Sequence, residues 1–232
     1  QITKYKALAS KIYKTHKEIK GITLNIQNSR NNLIYGAETI CLIGRDHINE
    51  IFCGKRYKVN TTSFFQVNHQ PAEHIVNMIV SWLKSKYPLK NVIDCYCGIG
   101  AITLPIAEYF NVIGIELSVA SIEQAKYNAC LNNLKHASFY AGDVNKLLSK
   151  YLNNESALVL DPPRKGLHIE VVNTIKIIKP SYIAYLSCNP ATLARDIKLL
   201  VEDDLYSIEE INAIDFFPQT MHIECVAFLY LN

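Results

Sequence analysis

Apolar residues change their spacing more than once along this chain. Over residues 3–19, Tyr5, Leu8, Ala9, Ile12 and Tyr13 recur at helical intervals, which predicts an amphipathic helix closed by Gly21. From Ile22 the period drops to two. Ile22, Leu24 and Ile26 alternate with polar residues, and stretches 33–41 and 51–59 are also strand-like. Turn signals stand at residues 28–32 and at Gly44-Arg45-Asp46. The reading for residues 1–62 is therefore a helix followed by a small, mostly antiparallel sheet. No repeat or low-complexity linker ends it; the pattern changes near Asn60-Thr61-Thr62-Ser63.

Beyond that junction, Pro71 opens a helix through Trp82, with Ile75, Met78, Ile79 and Trp82 on one face. After Pro88 strands and helices alternate regularly. Strands are predicted at 91–95, 112–115, 137–141, 157–160, 181–186, 207–214 and 225–231. Helices are predicted at 101–109, 119–132, 169–178 and 191–201. Such alternation with short connections demands a mostly parallel sheet with helices on both faces. The last two strands have no helix between them and are expected to be antiparallel. The fold class is α/β, a doubly wound Rossmann-like sheet over residues 63–232 with a small α+β subdomain before it.

Composition adjusts this picture little. A chain of 232 residues that is 49% hydrophobic can bury a real core. No apolar run has the length of a membrane span, and the first residues do not resemble a signal peptide. The chain starts without methionine, so an upstream segment is expected. Seven cysteines, an odd number without a disulfide-type spacing, point to the reducing cytoplasm. The net charge of +3 permits a polyanionic partner without requiring one. Lys4, Lys6, Lys11, Lys14, Lys17 and Lys20 crowd the amino terminus. A solvated helix face and the edge of a nucleic-acid surface explain them equally well.

Chemistry concentrates at predicted strand ends, where open α/β sheets bind their ligands. Cys97-Gly98-Ile99-Gly100 follows a strand and lets backbone approach a ligand, but it lacks the third glycine of the dinucleotide fingerprint. Glu116 ends the next strand, where a carboxylate can accept both hydroxyls of a ribose, or can cap the helix starting near Ser118. Asp143 can likewise accept from an adenine amino group. Cys95 and Cys97 are too close for a zinc knuckle and have no second pair, so no metal is expected. These features with Asp161-Pro162-Pro163 fit an S-adenosylmethionine site better than a nicotinamide site. At the junction, Phe64 either packs or contacts a base or the methyl donor, and Gln66 can bond the donor's polar atoms. Asp-Pro-Pro alone suggests an amino-group methyltransferase. Cys188, after strand 181–186 and before Pro190, changes that choice. Nitrogen needs no cysteine, whereas C5 of a pyrimidine is a poor nucleophile until something adds at C6.

Five segments in order then resemble the RNA uracil-C5-methyltransferase family: Phe64-Phe65-Gln66-Val67-Asn68, 94–100 (Asp-Cys-Tyr-Cys-Gly-Ile-Gly), 161–166 (Asp-Pro-Pro-Arg-Lys-Gly), 187–196 around Cys188-Asn189-Pro190, and 217–225 around His222-Ile223-Glu224. The branch acting on 23S ribosomal RNA is the most similar, with a transfer-RNA enzyme as the alternative. The resemblance implies that Cys188 is the nucleophile at uracil C6 and that Glu224 removes the C5 proton. It implies donor-site roles for Gln66, Tyr96, Glu116 and Asp161, with Ala101 and Asp143 as further positions. Residues 1–62 look like part of the family's central RNA-contacting domain. Phe64 and Arg164 are the candidate substrate contacts. Arg164 and Arg195 are the cations offered to the Cys188 thiolate, and the helix after Pro190 should help to deprotonate it. Glu224 should be partly buried. His222 stays outside the catalytic set, because a lone histidine near a strand start is more often structural. An amino-group methyltransferase and a non-catalytic RNA-binding module are the competing readings.

Overall fold

The computed structural model describes residues 2–28, 35–36 and 38–232, which form two compact units. The first comprises residues 1–50 and 57–64, the second residues 51–56 and 65–232. In the first, helix α1 (Ile2–Thr15) precedes β1 (Gly21–Ile26) and β2 (Glu38–Gly44), an antiparallel pair with Gly21 opposite Gly44. The helix stops four residues before the predicted end. The Thr15 hydroxyl turns back to Lys11 O at 2.9 Å, and no apolar residue between Tyr13 and Ile19 holds another turn against the sheet. The predicted turn at 28–32 and the start of strand 33–41 lie largely outside the described residues. Stretch 51–59 is not one strand. β3 (His47–Phe52) and β4 (Lys55–Asn60) form a hairpin whose turn residues Cys53 and Gly54 both take positive φ, 49° and 70°. Two positive φ values in a two-residue loop match the right-handed twist of the flanking strands.

The second unit holds α2 (His69–Lys84) and then β5 (Asn91–Cys95), α3 (Thr103–Ile106), β6 (Asn111–Glu116), α4 (Val119–Leu131) and β7 (Ala137–Ala141). It continues through α5 (Val144–Tyr151), β8 (Ala157–Leu160), α6 (Ile169–Ile178), β9 (Tyr182–Ser187), α7 (Pro190–Val201), β10 (Tyr206–Ile214) and β11 (Glu224–Leu231). The seven strands lie in the order β10-β11-β9-β8-β5-β6-β7. β5 to β9 are mutually parallel, and β11 runs antiparallel to both β9 and β10. Every residue of β8 is buried, as a central strand covered on both faces requires. Among the described residues no helix is long and apolar enough to cross a membrane.

Two elements depart from the sequence reading. The helix predicted over 101–109 shrinks to the single turn of α3, all four of whose residues are buried. Its apolar run packs on every side instead of presenting one face, and Pro105 has no N–H to extend a ladder. Conversely, α5 was not predicted. Its signal is present: Val144, Leu147, Leu148 and Tyr151 keep helical spacing, and the Asp143 carboxylate caps the first turn by accepting from Asn145 N–H at 3.0 Å.

Candidate active site

Strand register gathers the site. Cys95 lies beside Leu160, Leu160 beside Tyr185, and Ser187 opposite Cys225. The next residue along β5, β8 and β9 is therefore Tyr96, Asp161 or Cys188, all at the carboxyl edge of the sheet. Because β11 runs the other way, its first residue, Glu224, arrives at that same edge beside Cys188. Glu116 ends β6 there too, and its carbonyl accepts from Gly142 N–H at 2.9 Å, which brings Asp143 alongside.

The glycine loop is held open by its backbone. Tyr96 and Cys97 both donate to Ile115 O, at 2.8 and 3.1 Å, and Tyr96 takes a φ of 65°. A Cβ at Gly98 would meet nothing within 4 Å, so the loop fronts open space. The Glu116 carboxylate accepts from Gly98 N–H at 3.3 Å and from Ser118 N–H at 2.9 Å. It thus ties the loop to the start of α4, where the Ser118 hydroxyl is the cap, accepting from Ser121 N–H. Ala101 and Gln66 are half-buried. Asn68 donates to Phe216 O at 2.8 Å, fastening the turn after Gln66 to the segment before β11. Phe64 belongs to the first unit, where it is 77% exposed. Its neighbour Phe65 instead packs edge-on against Phe52 and His69.

Burial sets the electrostatics. Asp94 is fully buried; one carboxyl oxygen accepts from the Thr103 hydroxyl at 2.5 Å and the other has no partner among the described residues. Burial pushes this carboxyl up to about 7, against the Thr103 bond and with help from Glu116. Asp161, which keeps an accessible edge, is pushed up by burial first and then by Glu224 and Asp94. Glu224 is half-buried as expected, and burial raises it to about 7 while Arg164 opposes. The Cys188 thiol is not lowered by its surroundings. Burial and the Glu224 carboxylate raise it, Arg164 pulls it down, and Asp161 adds a smaller upward push. A carboxylate next to a thiol disfavours the thiolate, and the sequence offered no means of weighing that against the helix end.

Of the two candidate cations, Arg164 is the one whose charge reaches both Cys188 and Glu224. Its Nη2 also lies 3.5 Å from His222 Nδ1. Arg195 is engaged elsewhere, with Nε and Nη2 on the Asp196 carboxylate at 2.8 and 2.7 Å. Asn189 caps α7 by accepting from Ala191 N–H at 3.1 Å, with Pro190 at the first helical position. Sequence reasoning missed two residues of this edge, Asp94 and Asp196. The signal for Asp196 was a charge on the apolar face formed by Leu193, Ile197 and Leu200.

The family model described as tRNA (uracil-5-)-methyltransferase matches residues 5–231. The chain belongs to that family. Among its relatives, an uncharacterized RNA methyltransferase of Parasynechococcus marenigrum is 45% identical over 232 residues, covering 99% of this chain and 50% of the relative. One from Bacillus cereus is 37% identical over 230 residues, covering 97% and 50%. Among solved structures, the Pyrococcus abyssi tRNA (uracil-54, C5)-methyltransferase in complex with S-adenosyl-L-homocysteine superposes with a TM-score of 0.77 at 31% identity. That match covers 94% of this chain and 52% of the other. The chain thus spans about half the length of these family members. The Rossmann-like sheet expected from strand-helix alternation is the architecture found.

Proposed function

We propose that this chain is the catalytic part of an S-adenosylmethionine-dependent enzyme that methylates C5 of uracil in RNA. The observation that carries the reading is the β9–β11 register, which brings Glu224 to the Cys188 thiol at the carboxyl edge of the sheet. The edge suits the cofactor: it has an open glycine loop, the carboxylates Glu116 and Asp143 at neighbouring strand ends, and a buried Asp94 oxygen without a partner among the described residues. Tyr96, Glu116, Asp143, Ala101 and Gln66 would hold it, and when bound it supplies an electrophilic methyl group.

The chain's own residues do the rest. Cys188 Sγ, as thiolate, forms a bond to uracil C6 and leaves C5 electron-rich. Once C5 carries the methyl group, Glu224 takes the C5 proton and the Sγ–C6 bond breaks, returning the thiolate. A carboxylate raised to about 7 is matched to that proton transfer near neutral pH. Arg164 offsets the negative charge of Cys188 and Glu224, and Asp161 orients uracil or cofactor from β8. A uracil within folded RNA must be flipped out to reach this edge. Residues 1–62 serve as part of the RNA-contacting subdomain, supported by the exposed Lys4, Lys6, Lys11, Lys14, Lys17 and Lys20, and Phe64 is offered to a base. We favour 23S ribosomal RNA as substrate, on segments 161–166 and 217–220. Transfer RNA, on which the P. abyssi neighbour is described as acting, is the alternative.

Covalent trapping tests this directly. Wild-type and Cys188→Ala proteins are mixed with S-adenosylmethionine and 5-fluorouracil-substituted 23S fragments or transfer RNA. Fluorine cannot leave as a proton does, so the methylated adduct should persist through denaturation in wild type and be absent from the alanine variant. The RNA that traps faster identifies the substrate. Methyl transfer that survives Cys188→Ala would instead support an amino-group methyltransferase.

A further inference from the structure

Helix α7 begins two residues after the nucleophile, and its inner face grips the loop that carries Arg164. The Arg164 carbonyl accepts from Asn189 Nδ2 at 3.2 Å and from the Thr192 hydroxyl at 3.4 Å. Arg195 Nη2 donates to Lys165 O at 3.0 Å and to Leu167 O at 3.4 Å. Gly166 takes a φ of 76°, and a Cβ there would come within 2.5 Å of Asp196 Oδ2. Leu167 N–H donates to that same oxygen at 2.8 Å.

Asp196 is the centre of this clamp. It is 1% exposed, and its Oδ2 ties α7 to two other elements. Oδ2 takes the Leu167 N–H of the loop and the Tyr185 hydroxyl of β9, the latter at 2.7 Å, while Oδ1 takes the Arg195 guanidinium. A buried carboxylate is costly to desolvate, and well-packed apolar residues often stabilise a fold as much or more. What this carboxylate adds is a fixed distance between α7, β9 and residues 164–167. Cys188 follows β9 and precedes α7, so thiol and cation are referenced to the same buried group. The Arg164 side chain itself is exposed, and among the described residues its guanidinium has only the long contact with His222 to steady it.

We propose that Asp196 is a positioning residue that fixes residues 164–167 to α7 and thereby keeps the Arg164 guanidinium beside Cys188 and Glu224. Its catalytic meaning rests on the uracil-methylating reading, but the arrangement can be measured without RNA. The probe is iodoacetamide, with alkylation followed at the Cys188 peptide by mass spectrometry between about pH 6 and 10, since only the thiolate reacts. In Asp196→Asn the Cys188 profile should move upward by about half a pH unit, which is about threefold slower alkylation at neutral pH. Arg164→Gln should move it at least as far, and the double variant no further, because both act through one charge. S-adenosylhomocysteine affinity, read by calorimetry, should stay within about twofold in Asp196→Asn, since the hydrogen bonds of Asp196 go to Leu167, Tyr185 and Arg195 and not to Tyr96 or Glu116. Thr192→Val removes the hydroxyl that is shared between the Arg164 and Asn189 carbonyls and leaves the buried network intact. It should shift the profile the same way by less, and it decides the matter if Asp196→Asn does not fold. An unmoved profile in Arg164→Gln, Asp196→Asn or Thr192→Val, or additive shifts in the double variant, overturns the proposal. Failure to trap RNA would count against the methyltransferase reading and leave this comparison intact.

Discussion

The Glu224 carboxylate disfavours the Cys188 thiolate while burial disfavours the Glu224 carboxylate itself, and that conflict governs the pH behaviour of the site. Glu224 is raised to about 7, so in the proposed mechanism it is lost as a base when the pH falls through that value. Turnover should therefore drop on the acid side of about pH 7, tending toward tenfold per unit well below it. The thiol is raised as well, so turnover should continue to climb above neutrality as thiolate forms. Glu224→Gln separates the two effects. With the carboxylate gone, Cys188 alkylation should shift to lower pH, while ordinary uracil RNA should remain attached through Sγ in a denaturation-resistant adduct. A variant that alkylates as wild type and accumulates no adduct would remove Glu224 from both roles.

Elements matter here for where their ends fall. Asn189 caps α7 and also donates to the Arg164 carbonyl, so one side chain serves helix and loop. Asn189→Ala should cost about 1 kcal/mol of stability through the lost cap, visible as a lower Tm. Asn189→Ser should restore most of the Tm, because serine caps helices well, yet leave adduct formation slow because its hydroxyl is too short for the Arg164 carbonyl. If the serine variant recovers both, the amide bond to the loop has no part in the chemistry. Strand ends carry similar weight. A slip of one residue between β9 and β11 would reverse every side chain of β11 relative to the sheet and take Glu224 out of the site.

For the whole molecule, the raised carboxyls reverse the usual acid response. Asp94 goes from 3.8 to about 7, Glu224 from 4.5 to about 7, and Asp161 also moves up from 3.8. In this window the folded chain binds more protons than the unfolded one, so stability falls as pH rises. Their contribution is complete below about 3.8 to 4.5 and is lost as pH climbs through the folded values. Tm should accordingly rise between pH 8 and pH 6, and Asp94→Asn should flatten that slope. A Tm that falls over the same interval would show that these carboxyls are not buried as protonated groups.

Spacing of apolar residues was enough to determine the strands β5 through β11, the antiparallel last strand and the placing of Glu116, Asp161 and Cys188 at strand ends, because those depend on local period and on turn chemistry at Pro190, Gly98 and Gly100. The Cys53-Gly54 hairpin, the collapse of 101–109 to one turn and the added helix α5 escaped it. A run of apolar residues does not say whether it packs on one face or on all. The tertiary structure alone decided which cation's charge reaches the thiol: Arg164 and Arg195 are equivalent in a list, but Arg164 acts on Cys188 while Arg195 is taken up by Asp196 and the Lys165 and Leu167 carbonyls. It alone decided that Cys188 is raised. A charge's effect depends on distance and on excluded water, and both arise when strands distant in sequence are brought to one edge.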